Sequence, residues 1–137
     1  LCLTYVDSCV VVAAFAGKDE VLARRALAII EDEARRIVSS HFVWLEIVPK
    51  TERYGQASLL DAYLDFFGDV HLYVLASERL VRNALRLAGK YGLGAMDALH
   101  IGAALEAGCS EFVTAEKPTK PFFLVREGGM QVLSILP

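Results

Sequence analysis

The chain has 137 residues, 55% hydrophobic and 23% charged, with a formal net charge of -3. That length and composition predict one globular domain over residues 1–137 with one core, and exclude an intrinsically disordered chain. The slight acidity excludes binding of nucleic acid through a wholly cationic surface, so an anionic ligand needs a local basic patch or a bound cation.

Cys2 to Val6 is a short apolar run that ends at Asp7 and predicts a buried first strand. The wider apolar stretch Leu1 to Gly17 carries Ala14-Phe15-Ala16 in the manner of a signal-peptidase site. It lacks a basic region and Asp7 interrupts it, so no secretion signal is expected. With no Met at position 1, the natural start is expected just upstream. No uninterrupted apolar run reaches the ~18 residues of a membrane span, so a cytoplasmic location with no membrane contact is expected. Cys2, Cys9 and Cys109 fit no zinc spacing and are expected as reduced, packed thiols.

Ser8 is positioned to cap a helix through Phe15, which Gly17 breaks, and Asp19 opens an amphipathic helix to about Ala34. Ile37-Val38 marks a second strand within Arg36 to Ser39. Ser39 or Ser40 caps a helix expected to run through Val48 and to stop at Pro49. Thr51 is then the expected N-cap of a helix to about Phe67, with Leu60, Tyr63, Leu64 and Phe67 on one stripe. Val70 to Leu75 is a third strand. Ser77 caps a helix to about Tyr91, Gly92 and Gly94 make a break, and Ala95 to Ala107 is a very apolar helix. Glu111 to Thr114 is a fourth strand, a loop with Pro118 and Pro121 follows, and a last strand spans Gln131 to Leu136. This alternation predicts an α/β fold whose parallel sheet is covered on both faces. Right-handed crossovers put the strand C-terminal ends on one edge, where such folds bind ligands.

The informative residues are acids inside apolar runs. Asp7 ends the first strand, Glu46 lies within Phe42 to Val48, and Asp97 lies within Leu93 to Leu99. An unpaired buried carboxylate costs several kcal/mol or becomes neutral. Lys50 is the one Arg or Lys within four residues of Glu46, and Asp97 has none that close. Glu116 follows the fourth strand by two residues and emerges at the same edge. Singly, each acid has a plainer reading: a helix cap for Asp7, a solvent-facing Glu46, a first-turn dipole partner in Asp97, a solvated loop for Glu116. Together they would repel one another strongly unless a divalent cation sat among them, and oxygen ligands favour Mg²⁺ or Mn²⁺.

These segments resemble the PIN-domain family. The likeness is carried by Tyr5-Val6-Asp7-Ser8, by Ser39-Ser40-His41-Phe42-Val43-Trp44-Leu45-Glu46, by Met96-Asp97-Ala98-Leu99-His100-Ile101-Gly102-Ala103-Ala104-Leu105, and by Phe112-Val113-Thr114-Ala115-Glu116. It implies a three-layer α/β/α sandwich around a twisted, mainly parallel sheet of about five strands. It also implies an endoribonuclease dependent on Mg²⁺ or Mn²⁺. Many small members are VapC-like toxins of toxin–antitoxin pairs, so an RNA substrate, an antitoxin protein partner and a homodimer are expected. By the same resemblance Asp7, Glu46 and Asp97 bind one metal, Glu116 helps to hold a second, and Thr114 hydrogen-bonds the scissile phosphate or the attacking water. The chain departs from the family in having Glu116 where Asp is usual. The loop Lys117-Pro118-Thr119-Lys120-Pro121 also delays an expected aromatic to Phe122.

Arg79, Arg82, Arg86 and Lys90 are spaced to share one helix face and are candidates, with Lys117 and Lys120, for contacts to phosphates. A solvated helix face is the plainer reading. Arg24-Arg25 and Arg35-Arg36 are lesser candidates. Among Tyr54, Tyr63, Phe66 and Phe67, core packing is expected, with one aromatic available to a partner surface. His100 is read as a packed helix histidine rather than a general base. The alternative function is a non-catalytic PIN-like module that binds RNA or protein, suggested by Glu116 and the altered loop. A phosphatase or nucleotide-binding domain is disfavoured, since no Gly-rich loop follows the first strand and position 9 is Cys rather than an acid.

Overall fold

The computed structural model of the chain describes residues 2–137. Strands β1 (Cys2–Val6), β2 (Arg35–Ser40), β3 (Leu72–Val74), β4 (Glu111–Thr114) and β5 (Gln131–Ser134) form one sheet in the order β3-β2-β1-β4-β5. All four neighbouring pairs are parallel. Between the strands lie α1 (Ser8–Phe15), α2 (Glu20–Ile30), α3 (His41–Arg53), α4 (Ala57–Asp69), α5 (Glu78–Tyr91) and α6 (Ala95–Glu106), and Pro121–Leu124 forms a 3-10 turn.

The chain walks outward from β1 to β3 and then returns to β4 on the other side of β1. Right-handed crossovers therefore lay α1 to α4 on one face and α5 with α6 on the other, giving an α/β/α sandwich. The reversal between β1 and β4 makes a switch point, where sheets of this kind form a crevice beyond the strand C-termini. Both central strands are buried on two faces, as Tyr5, Val6, Phe112 and Val113 show. Under α6, Phe112 stacks on Tyr5 with ring centroids 5.3 Å apart and planes 8° apart, and Phe122 of the 3-10 turn packs on Phe112 at 5.2 Å. On the opposite face Phe15 meets Tyr63 edge-on at 6.3 Å, and Trp44 packs on Phe67 at 4.8 Å. Tyr63, Phe66 and Phe67 are core; Tyr54 is 76% exposed.

Three helix boundaries differ most from the sequence reading, while β3 and β5 are shorter than the expected Val70 to Leu75 and Gln131 to Leu136. Pro49 does not stop α3, which continues to Arg53. Its missing N–H and its ring affect the carbonyl of Leu45, on the exposed side of the helix, where water can take the unpaired oxygen. Thr51 is accordingly no N-cap: it is buried inside α3 and donates its hydroxyl to Ile47 O at 2.7 Å. The break falls instead at Gly55, whose φ of 64° is the left-handed conformation glycine adopts freely after a helix. Finally, α2 ends at Ile30 rather than Ala34, because Asp32 turns the chain by accepting from Ala34 N at 2.9 Å.

At the sheet edge opposite the switch-point crevice, Arg35 clamps Asp32 (2.8 Å) and Glu111 (2.9 Å), and Thr4 donates to Glu111 at 2.7 Å. The Arg35 hydrogen bond, working against partial burial, holds the Glu111 carboxyl down at about 2 from an ordinary 4.5. A lowered folded-state pKa stabilises the fold above the unfolded value, and that stability is lost as pH falls from about 4.5 to about 2. Glu111→Gln is expected to cost roughly 1–3 kcal/mol at pH 7, read as a lower urea midpoint. The gap to the wild type should close on acidification to pH 2. Equal midpoints at pH 7 count against this clamp.

Candidate metal centre

Three adjacent strands end at the crevice. Asp7, Ser40 and Thr114 stand at the C-terminal ends of β1, β2 and β4. Asp7 is the N-cap of α1, its Oδ1 accepting from Ser8 N at 2.8 Å. Its Oδ2 accepts from Thr114 Oγ1 at 2.9 Å and from Cys9 Sγ at 3.4 Å. Thr114 Oγ1 also accepts from Glu116 N at 3.1 Å, which starts the loop carrying the fourth acid. Asp7 is thus buried and held on both oxygens.

Glu46 arrives from the second turn of α3, which Ser40 caps by accepting from Phe42 N. Its side chain remains 35% exposed. Oε1 accepts from Ser8 Oγ at 2.5 Å and meets His100 Nε2 at 2.5 Å. Ser8 therefore couples the two acids, through its N–H to Asp7 and its hydroxyl to Glu46. His100 Nε2 lies 3.8 Å from Asp7 Oδ1, and one ligand atom from each of Asp7, Glu46 and His100 falls within 4.8 Å of the other two. Behind them His100 Nδ1 meets Tyr5 Oη at 2.7 Å, and Tyr5 Oη meets Ser40 Oγ at 2.6 Å. Asp97 sits in the first turn of α6, three residues before His100 and on the same helix face.

The charges at this edge act on one another. Burial raises the Asp97 carboxyl above the ordinary range, and the negative charges of Asp7, Glu116 and Glu46 raise it further against the opposing pull of His100. The hydrogen bond from His100, aided by Ser8, lowers Glu46 despite burial. Burial and the charge of Asp7 push the Cys9 thiol up to about 12, so it is a neutral donor rather than a soft ligand. What the residues offer is a set of carboxylates beside one imidazole, with the repulsion felt by Asp97 only partly offset by His100. That donor set fits a hard or borderline divalent cation such as Mg²⁺ or Mn²⁺.

Asp7, Glu46 and Thr114 end at the same sheet edge, whereas Asp97 and Glu116 stand outside the group of ligand atoms within 4.8 Å and reach it through their charges and, for Glu116, through the backbone bond to Thr114. Lys117 and Lys120 are exposed on the loop directly after Glu116. The α5 cations stand elsewhere. Arg82 pairs with Glu78, while Arg86 and Lys90 both pair with Glu127 at 2.9 Å. Arg79 lines a cavity of about 350 Å³ with Gly102 and Glu106, at the other end of α6 from Asp97. The sequence reading passed over Tyr5, Ser8, Cys9, Ser40 and His100 as members of the site. One signal was available for Tyr5, since a tyrosine in the middle of a five-residue buried strand must find its hydroxyl a partner.

Similar folds occur in a toxin–antitoxin complex from Klebsiella pneumoniae, with a TM-score of 0.71 and 18% identity over 97% of this chain and 98% of that chain. Another is VapBC2 from Rickettsia felis bound to a DNA fragment from its promoter, at 0.69 and 14% over 96% and 98%. A third is DNA-bound VapBC from Salmonella typhimurium, at 0.68 and 14% over 99% and 100%. Likeness at such identities concerns the fold. No curated protein sequence is a significant match. The PIN domain pattern, in contrast, matches residues 4–117, a span that runs from β1 through β4 and takes in Asp7, Glu46, Asp97 and Glu116. With more than half of its length, and all four acids, inside that match, the chain belongs to the PIN domain family.

Proposed function

We propose that this chain is a divalent-metal-dependent endoribonuclease that hydrolyses RNA phosphodiester bonds, and that it is the toxin of a toxin–antitoxin pair. The observation that carries the reading is the meeting of Asp7 and Glu46 at the sheet's switch point, with the Asp97 carboxyl on the neighbouring helix raised by burial and by the charges of Asp7, Glu116 and Glu46. Asp7, Glu46 and Asp97 would hold the first ion, and Glu116 would assist a second. A bound Mg²⁺ or Mn²⁺ supplies Lewis-acid chemistry, neutralising phosphate charge and activating water.

The chain's own groups prepare that chemistry. Thr114 donates its single proton to Asp7, so we assign it to orienting that carboxylate rather than to touching the phosphate. Cys9 donates to the same oxygen. Lys117 and Lys120 follow Glu116 on a loop and are the nearest cations in sequence for the RNA backbone. The pairs of Arg82 and Arg86 are exposed on the arginine side and screened by solvent, so phosphates can take those arginines over. Among the described residues no helix is long and apolar enough to cross a membrane. The reading carries over from the similar complexes an antitoxin protein partner, and it includes a cytoplasmic homodimer.

The test is RNA cleavage with the metal controlled. Cleavage is expected with Mn²⁺ or Mg²⁺, to vanish in excess chelator, and to return when Mn²⁺ is added back. RNA that is bound but left intact at saturating Mn²⁺ would instead identify a non-catalytic binding module.

A further inference from the structure

His100 is almost completely buried, at 1% exposure, and both of its ring nitrogens are engaged. A carboxylate has no proton to donate, so Nε2 carries the hydrogen that reaches Glu46 Oε1. The other ring nitrogen, Nδ1, is hydrogen-bonded to Tyr5 Oη 2.7 Å away. Tyr5 Oη shares a second hydrogen bond with Ser40 Oγ at 2.6 Å, and Ser40 Oγ accepts from Phe42 N at 3.2 Å. Hydrogen bonds thus link Ser40, Tyr5, His100 and Glu46 without a break, through groups that are 0–1% exposed until the last. The ring is also fixed sterically: Phe42 stands edge-on to it at 6.4 Å and the Tyr5 ring lies at 5.8 Å.

The far end of this chain is a flexible side chain at a half-open site. Glu46 Oε1 receives both His100 and Ser8, while Oε2 has no protein donor among the described residues. We propose that His100, braced by Tyr5 and Ser40, is a positioning residue that works with Ser8 to lock Glu46 Oε1 and leave Oε2 as the oxygen presented to the cation. The inference rests on the metal-centre reading above and deepens it. Partners of this kind order a ligand before the ion arrives, and losing one typically weakens metal binding by about 10–100-fold. The path joins β2, β1, α6 and α3, so it also ties the position of Glu46 to the central strands.

The experiment is calorimetric titration with Mn²⁺, alongside kcat and KM for RNA cleavage, on the wild type, Glu46→Gln, Tyr5→Phe, His100→Ala and His100→Gln. Tyr5→Phe and His100→Ala are expected to weaken Mn²⁺ by about 10–100-fold and to lower kcat, with KM for RNA unchanged. His100→Gln keeps an N–H near the position of Nε2 and should recover most of the affinity. Tyr5→Phe and His100→Ala that fold, as circular dichroism shows, and bind Mn²⁺ within twofold of the wild type overturn the proposal, while a loss in Glu46→Gln still upholds the metal centre. A Glu46→Gln protein that keeps Mn²⁺ overturns both. In the wild type, ¹⁵N NMR of the metal-free protein should report hydrogen on Nε2 of His100. Pulsed EPR of bound Mn²⁺ should show no directly coordinated imidazole nitrogen; such a coupling would make His100 a ligand and refute the positioning role.

Discussion

Asp97→Asn is expected to abolish metal-dependent RNA cleavage without weakening the metal-free fold. Asn keeps the shape of the side chain, removes the charge and turns one acceptor oxygen into an NH2 donor. The carboxyl of Asp97 is raised by burial and then by Asp7, Glu116 and Glu46. A carboxyl whose folded-state pKa is raised contributes full stability only below its unfolded pKa, and loses it as pH rises through the folded value. At neutral pH Asp97 is therefore a cost to the metal-free protein, and the Asn variant should melt at the same temperature or slightly higher. Activity should move the other way. Metal-based stabilisation of the transition state amounts to several kcal/mol, and each 1.36 kcal/mol is a factor of ten, so a drop in kcat/KM of about 10²–10³-fold or more is expected. Ligand-linked stability gives an independent reading. Saturation at 100 times Kd stabilises a native state by about 2.7 kcal/mol, so Mn²⁺ should raise the wild-type melting temperature and leave Asp97→Asn nearly unmoved. Cleavage that survives the substitution, or an equal thermal response to Mn²⁺, sinks the assignment of Asp97.

Much of this arrangement was legible in the chain because acids in apolar runs conflict with burial. Asp7, Glu46 and Asp97 each break a hydrophobic pattern, and a parallel α/β alternation brings strand ends to one edge whatever the loops do. The strands were readable for the same reason: β1 and β4 are short apolar runs closed by Asp7 and by the loop after Thr114. What stayed hidden depends on contacts that spacing does not encode. Tyr5 and His100 are 95 positions apart, and nothing in the run Tyr5-Val6-Asp7 says which partner the hydroxyl meets. Glu127 claims Arg86 and Lys90 from 41 and 37 positions away, so the basic stripe of α5 was visible and its pairing was not. Pro49 misled for a local reason. A proline stops a helix when the carbonyl it orphans is buried, and periodicity alone does not reveal that Leu45 faces solvent.

The largest effect on stability is expected at Phe112. The ring is fully buried in β4, between Tyr5 of β1 and Phe122 of the 3-10 turn, and so joins the sheet to the segment that closes it. Truncating such a ring removes its transfer energy and leaves a cavity that the close-packed strands cannot collapse into, a cost of about 3–5 kcal/mol. Against a total stability of about 5–15 kcal/mol for a domain, Phe112→Ala should lower the melting temperature by roughly 10–20 °C. Phe112→Leu refills much of the volume and should recover more than half of that loss. Leu85→Ala, at a site 70% exposed on α5, should stay within about 0.5 kcal/mol of the wild type and serves as the control. The consequence reaches the crevice, because the ring of Tyr5 that stacks on Phe112 carries the hydroxyl that braces His100. Phe112→Leu, folded but lacking the stack, should therefore bind Mn²⁺ more weakly than its stability alone requires. A melting temperature for Phe112→Ala within about 3 °C of the wild type would mean that the Tyr5–Phe112–Phe122 stack is not what holds β4 to its neighbours.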